Sequence, residues 1–145
     1  MQSASSSNGV SAGAGKRGVQ LARWIFWLAG LYGLAVILPQ YFLLERIGVD
    51  SPPAVTHVEY FYGFVGVALA WQIAFFVIGQ HPVRYRAFMP VAVLEKLSFG
   101  IPVAVLYSQR QVPQNVFVFG MIDLLLAAAF FAAWWATGQY ARIEP

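Results

Sequence analysis

The sequence contains no cysteine, which excludes a disulfide framework, thiol redox chemistry and any thiolate metal site. Charge is scarce as well. Asp, Glu, Lys and Arg together make up 10% of the residues, where a soluble domain carries about a quarter. The net charge of +3 is spread over scattered Lys and Arg side chains rather than gathered into a stripe, so the chain offers no nucleic-acid surface. No H-E-x-x-H or phosphate-cradling glycine loop occurs, and the single G-x-S-x-G string, Gly9 to Gly13, lies in the Ser-, Gly- and Ala-rich stretch before the first apolar run rather than between a strand and a helix, which places catalysis below binding or assembly and calls for no cofactor.

What remains is apolar: 59% of the residues are hydrophobic and 17% aromatic, more than a water-soluble chain of this length can hide. Four apolar runs stand out, at roughly Ala22 to Leu44, Tyr60 to Gly79, Phe88 to Tyr107 and Val116 to Ala136. Each is close to the ~20 residues a helix needs to cross ~30 Å of hydrocarbon. Apolar side chains occur on all sides of each run, and no alternating β-barrel pattern is present. The expected fold is therefore all-α, an integral membrane four-helix bundle. Its four-span domain covers residues 21–140, between a disordered tail at 1–20 and a short C-terminal tail at 141–145.

The tail MQSASSSNGVSAGAGKRGVQ is rich in Ser, Gly and Ala, a composition that does not offset the entropy of ordering. Lys16, Arg17 and Arg23 precede the first run as they would in a signal peptide. The run is longer than a signal core and ends in no small-x-small cleavage site, so a retained first span is expected. Lys16, Arg17, Arg23, Arg84, Arg86 and Arg142 fall on one side of the membrane, with Arg46 and Arg110 on the other. Both termini are thus expected in the cytoplasm, in a multi-pass protein of the bacterial inner membrane. Trp24, Trp27, Trp134, Trp135 and Tyr140 then mark the inner interface, and Tyr41, Tyr60, Tyr62 and Tyr107 the outer.

The first connection, ERIGVDSPPAVTHVEY, reads as an extended or turning segment. Its Glu45, Asp50, His57 and Glu59 fit no metal-ligand spacing, and no metal is expected. Thr56 and Glu59 instead form the Thr-x-x-Glu pattern of a capping box before the second span. His57 is a pH-responsive candidate at the outer mouth, because imidazole changes charge near neutral pH.

Small residues recur four apart at Gly66, Ala70 and Ala74 in the second span and at Ala128, Ala132 and Ala136 in the fourth, with Ala29 and Gly33 in the first. Such stripes let helices approach closely in lipid. Gln72 projects from nearly the opposite face of its helix.

The chemistry-bearing residues lie deep. In PVAVLEKLSFGIPVAVLY, Glu95 and Lys96 fall about 10–12 Å inside the hydrocarbon, level with Gln72, while Asp123 lies about 10 Å in from the outer side. A central charge costs at least ~2.5–3.5 kcal/mol to insert, so each needs a partner. Glu95 and Lys96 diverge by about 100° around the helix and are not placed to neutralise one another. Glu95 is expected to pair with Gln72, approached by Lys96 or Asp123, and Lys96 to snorkel toward the cytoplasmic headgroups. Pro102 frees the carbonyl of Ser98 nearby.

Four spans, cytoplasmic termini and a longer first outer connection resemble the DoxX-like small membrane proteins of bacteria, with YFYGFVGVALAWQ and VLEKLSFG as the most distinctive segments. The resemblance implies architecture and carries over no functional residue. Small multidrug transporters also have four spans and a membrane glutamate, but theirs is in the first span, and LARWIFWLAGLYGLAVIL has no acid.

Three functions are compatible with these features. The first is a protein binding or transporting a small lipophilic ligand or a proton at Glu95, Gln72, Asp123 and Lys96. The second is an accessory subunit of a larger membrane complex or a homo-oligomer, and the third is a membrane enzyme acting on lipid.

Overall fold

The computed structural model describes residues 4–50 and 52–140, with side chains described over 15–50 and 52–138. The expected tail at 141–145 lies outside the described residues. Described elements are all helical: α1 (Ala4–Ile37), a 3-10 turn (Leu38–Phe42), α2 (Leu44–Asp50), α3 (Val58–Gln80), a second 3-10 turn (Arg86–Phe88), α4 (Met89–Ser108) and α5 (Gln114–Tyr140). Four stretches are long and apolar enough to cross a membrane: Gly15–Phe42, Val58–Gln80, Arg86–Ser108 and Gln114–Gly138. They coincide with the four apolar runs of the sequence to within a few residues, except that the first begins a turn or two earlier.

Helix α1 begins at Ala4, inside the segment expected to form a disordered tail. Nucleation is the unfavourable step of helix formation, and the apolar span supplies a nucleus from which the Ser- and Ala-rich stretch propagates at small cost per residue. The first connection contains helix α2, where an extended or turning segment was expected. The Thr56–Glu59 capping box does not form. Helix α3 starts one residue later than that box requires, with His57 at the N-cap and no side-chain cap, and Glu59 Oε1 lies 3.2 Å from His57 Nδ1 instead.

Helix α4 shows how local sequence sets its limits. Pro90 occupies the first turn, where no N–H is needed. At the far end Arg110 adopts a left-handed φ of 57°. The Gln111 amide donates to Leu106 O at 2.9 Å and the Arg110 amide to Tyr107 O at 2.9 Å, the paired bonds of a Schellman stop.

The helices pack in the order α3, α1, α5, α4, each broadly against the next, while α3 and α4 scarcely approach one another. Phe26 of α1, Phe75 of α3 and Phe130 of α5 fill the centre. Phe26 and Phe130 stack at 4.3 Å between centroids, and Phe75 meets Phe130 edge-on at 4.9 Å. Side chains bridge the gap on that side, Trp71 of α3 with Phe88 of the second 3-10 turn at 5.8 Å and Phe64 of α3 with Phe99 of α4 at 6.3 Å.

Close approach relies on small residues, but not all those expected. Gly30 and Gly33 bring α1 against Gln72 of α3, and Gly100 of α4 lies where an added Cβ would stand 2.6 Å from Leu124 Cδ2 and 3.0 Å from Gly120 O. In contrast, Ala70, Ala128 and Ala132 are exposed. The expected stripes on α3 and α5 are thus open at these three positions, whereas Gly66 lies against Tyr41 and Ala136 against Gly18 of α1, and α3 buries the Val65–Gln72–Phe75–Ile78 face. Large side chains such as Leu28, Leu31, Val67, Leu125 and Phe131 are also exposed, the pattern expected of a lipid-facing surface.

Candidate functional site

Burial of α4 against α5 is what places the charges. Ala92, Lys96, Gly100 and Val103 recur at helical spacing on the buried face of α4. Gly120 lets Val103 seat directly on the α5 backbone, so Lys96 comes opposite Asp123, one turn along α5. Lys96 Nζ donates to Asp123 Oδ1 at 3.3 Å and Oδ2 at 3.4 Å. The same ammonium lies 3.4 Å from Glu95 Oε2, and its third neighbour is the Phe75 ring, 5.4 Å away at the centroid, where the π face adds a weak attraction.

Two expectations are corrected here. Lys96 does not snorkel: its side chain is 8% exposed and turns inward, because Asp123 on the facing helix provides a charge-assisted partner at the same level. Glu95 and Lys96 do approach one another, since the long lysine stem sweeps across the roughly 100° between them. Both residues lie near the midpoint of the Arg86–Ser108 span, and Asp123 lies just short of the midpoint of Gln114–Gly138.

Glu95 is the less well satisfied acid. Its Oε2 is buried and receives no hydrogen bond, because the lysine ammonium is within ion-pair distance but off the hydrogen-bonding axis. Ser98 Oγ donates at 2.6 Å to the Glu95 backbone oxygen, not to its carboxylate. When all three groups are ionised, one cation serves two carboxylates in a poorly hydrated setting.

Gln72 is not part of this arrangement. It is 2% exposed, its Nε2 donates to Ala68 O at 2.7 Å, and its Oε1 lies against Gly33 of α1 without a hydrogen bond. The expected pairing of Gln72 with Glu95 does not form: the amide lies against Gly33 of α1, whereas Glu95 approaches Lys96, which pairs with Asp123 of α5. His57 stands apart at the end of the bundle, exposed and paired with Glu59. Among the described residues no three His, Cys, Asp or Glu side chains gather as a metal site would require.

Tyr32 of α1, which sequence reasoning passed over, lies within reach of the charge of Asp123. It is the one hydroxyl in the middle of the first span, a signal that was present in the sequence. No family model matches the chain, and neither curated proteins nor solved structures return a match.

Proposed function

We propose that the chain is a small polytopic protein of the bacterial inner membrane, both termini cytoplasmic, that binds or moves a proton or a small lipophilic ligand at Glu95. One observation carries this reading: a buried Glu95 Oε2 without a hydrogen-bond donor, in a cluster where Lys96 serves both Glu95 and Asp123. A proton on Glu95 cancels the excess negative charge, and a polar donor group of an otherwise apolar ligand gives that oxygen the hydrogen bond it lacks. Ionisable groups at mid-span are costly and mark pathways or binding sites more often than packing. The slight contact between α3 and α4 supports lateral access for a molecule arriving from lipid.

Glu95→Gln preserves shape and tests the reading. The purified variant is expected to fold as the parent does and to lose a lipophilic ligand, or proton-linked activity, that the parent retains; unaltered retention or activity counts against Glu95 as the site.

A second reading, an accessory subunit or homo-oligomer, is favoured by the exposed Ala70, Ala128 and Ala132, a surface suited to close approach by another helix. Purification of native complexes separates the two, because a reproducible larger partner supports assembly.

A further inference from the structure

The opposite charge pattern occurs at one end of the bundle. Lys16, Arg23 and Arg84 converge there, from the start of the first span and the connection after α3. Among the described residues none of the three is within ion-pair distance of a carboxylate; Glu45, Asp50 and Glu59 lie at the far end of the helices, and Glu95 and Asp123 lie at mid-span.

The surface between them is an open groove. Gly79 lets the end of α3 lie flush on α1, since an added Cβ would stand 2.7 Å from Trp27 Cδ1 and 3.2 Å from Arg23 O. Arg23 Nη2 donates to Gln80 O at 3.5 Å, tying the two helices together. Two adjoining clefts share Arg23, Gln80 and His81. One, of about 610 Å³, is walled by Trp24 and Trp27. The other, of about 620 Å³, is bordered by Lys16 and Arg84. A basic recess thus opens directly onto an aromatic, apolar one, at the level where a span meets its interface.

We infer that this double cleft binds an anionic phospholipid, with the headgroup phosphate among Lys16, Arg23 and Arg84 and the glycerol and acyl region against Trp24 and Trp27. Charge complementarity selects the class of occupant: a zwitterionic headgroup brings its own cation into an already cationic recess, whereas a net negative headgroup does not. Indole rings suit the glycerol level, having an apolar face and a polar N–H. Free phosphate satisfies only the basic half of the site and leaves the tryptophan wall uncovered. The inference is independent of the Glu95 reading.

Native mass spectrometry of the detergent-solubilised full chain tests it, with dioleoylphosphatidylglycerol, dioleoylphosphatidylcholine and inorganic phosphate as probes. Phosphatidylglycerol is expected to remain bound where phosphatidylcholine dissociates, and to resist displacement by equimolar phosphate. Each lost charge should weaken the lipid about fivefold, so Lys16→Gln with Arg84→Gln should weaken it roughly 25-fold. Trp24→Ala should weaken it too, while Arg46→Gln and Glu95→Gln leave it unchanged. Should the double variant fail to fold, Arg84→Gln alone, an exposed side chain, carries the fivefold measurement. Equal retention of both lipids, displacement by phosphate, or an Arg46→Gln effect as large as that of Arg84→Gln would each overturn the site.

Discussion

Lys96 Nζ stands 3.3 Å from Asp123 Oδ1, across the α4–α5 interface and near the middle of both spans. The same ammonium reaches Glu95 at 3.4 Å, so a single lysine holds the negative charge of two helices. Removing it should therefore do more harm than removing either acid. Lys96→Met leaves two buried carboxylates without a cation and is expected to cost about 3–5 kcal/mol, read as earlier unfolding in detergent. Combining it with Glu95→Gln and Asp123→Asn should recover most of the loss, since the charges left unpaired are then gone. A Lys96→Met protein as stable as the parent would mean that the cluster is hydrated.

Packing at α4–α5 gives a contrast with the outer face of α3. Gly100→Ala drives a Cβ into Leu124 and the Gly120 carbonyl and is expected to destabilise by about 1–3 kcal/mol, loosening the interface that aligns Lys96 with Asp123. Ala70→Leu, on an exposed position, should stay within about 0.5 kcal/mol. Thermal unfolding of the two variants side by side checks both, and the reverse ranking would place the α3 stripe in a helix interface.

Arg110 occupies a left-handed φ of 57° that a side chain disfavours. Arg110→Gly keeps the Schellman bonds and relieves that cost, so a gain of about 1 kcal/mol is expected. Equal or lower stability would show that the arginine side chain makes a compensating contact.

Topology is testable on an unusually clean background, because the chain has no cysteine of its own. A single cysteine at Arg84 should resist a membrane-impermeant maleimide added outside intact cells, and one at Pro53 or Arg110 should react. The distribution of Lys and Arg motivates that orientation, and the opposite labelling would invert it.

The helices were legible because length and apolarity alone define a span, and the four runs needed no partner information. Ranking the helix faces failed for a related reason. In lipid both faces of α3 are apolar, so a stripe of small residues at Gly66, Ala70 and Ala74 reads the same whether a helix or an acyl chain covers it. Rise per residue marked Glu95, Lys96, Asp123 and Gln72 as polar groups well inside their spans without a structure. Which of them meet depends on the order of helices around the bundle, and a linear sequence does not state that order. With α5 beside α4, and α1 between α3 and α5, Lys96 finds Asp123 and Gln72 is left against Gly33.

Infrared titration of the Glu95 carboxyl in lipid nanodiscs bears most directly on the interior site. Parent-minus-Glu95→Gln difference spectra should contain a carboxyl band that gains and loses its proton with pH, and whose midpoint moves in Lys96→Met and Asp123→Asn proteins, because the three groups share one field. A Glu95 carboxyl that titrates like a free acid in water, unaltered by either substitution, would contradict the account.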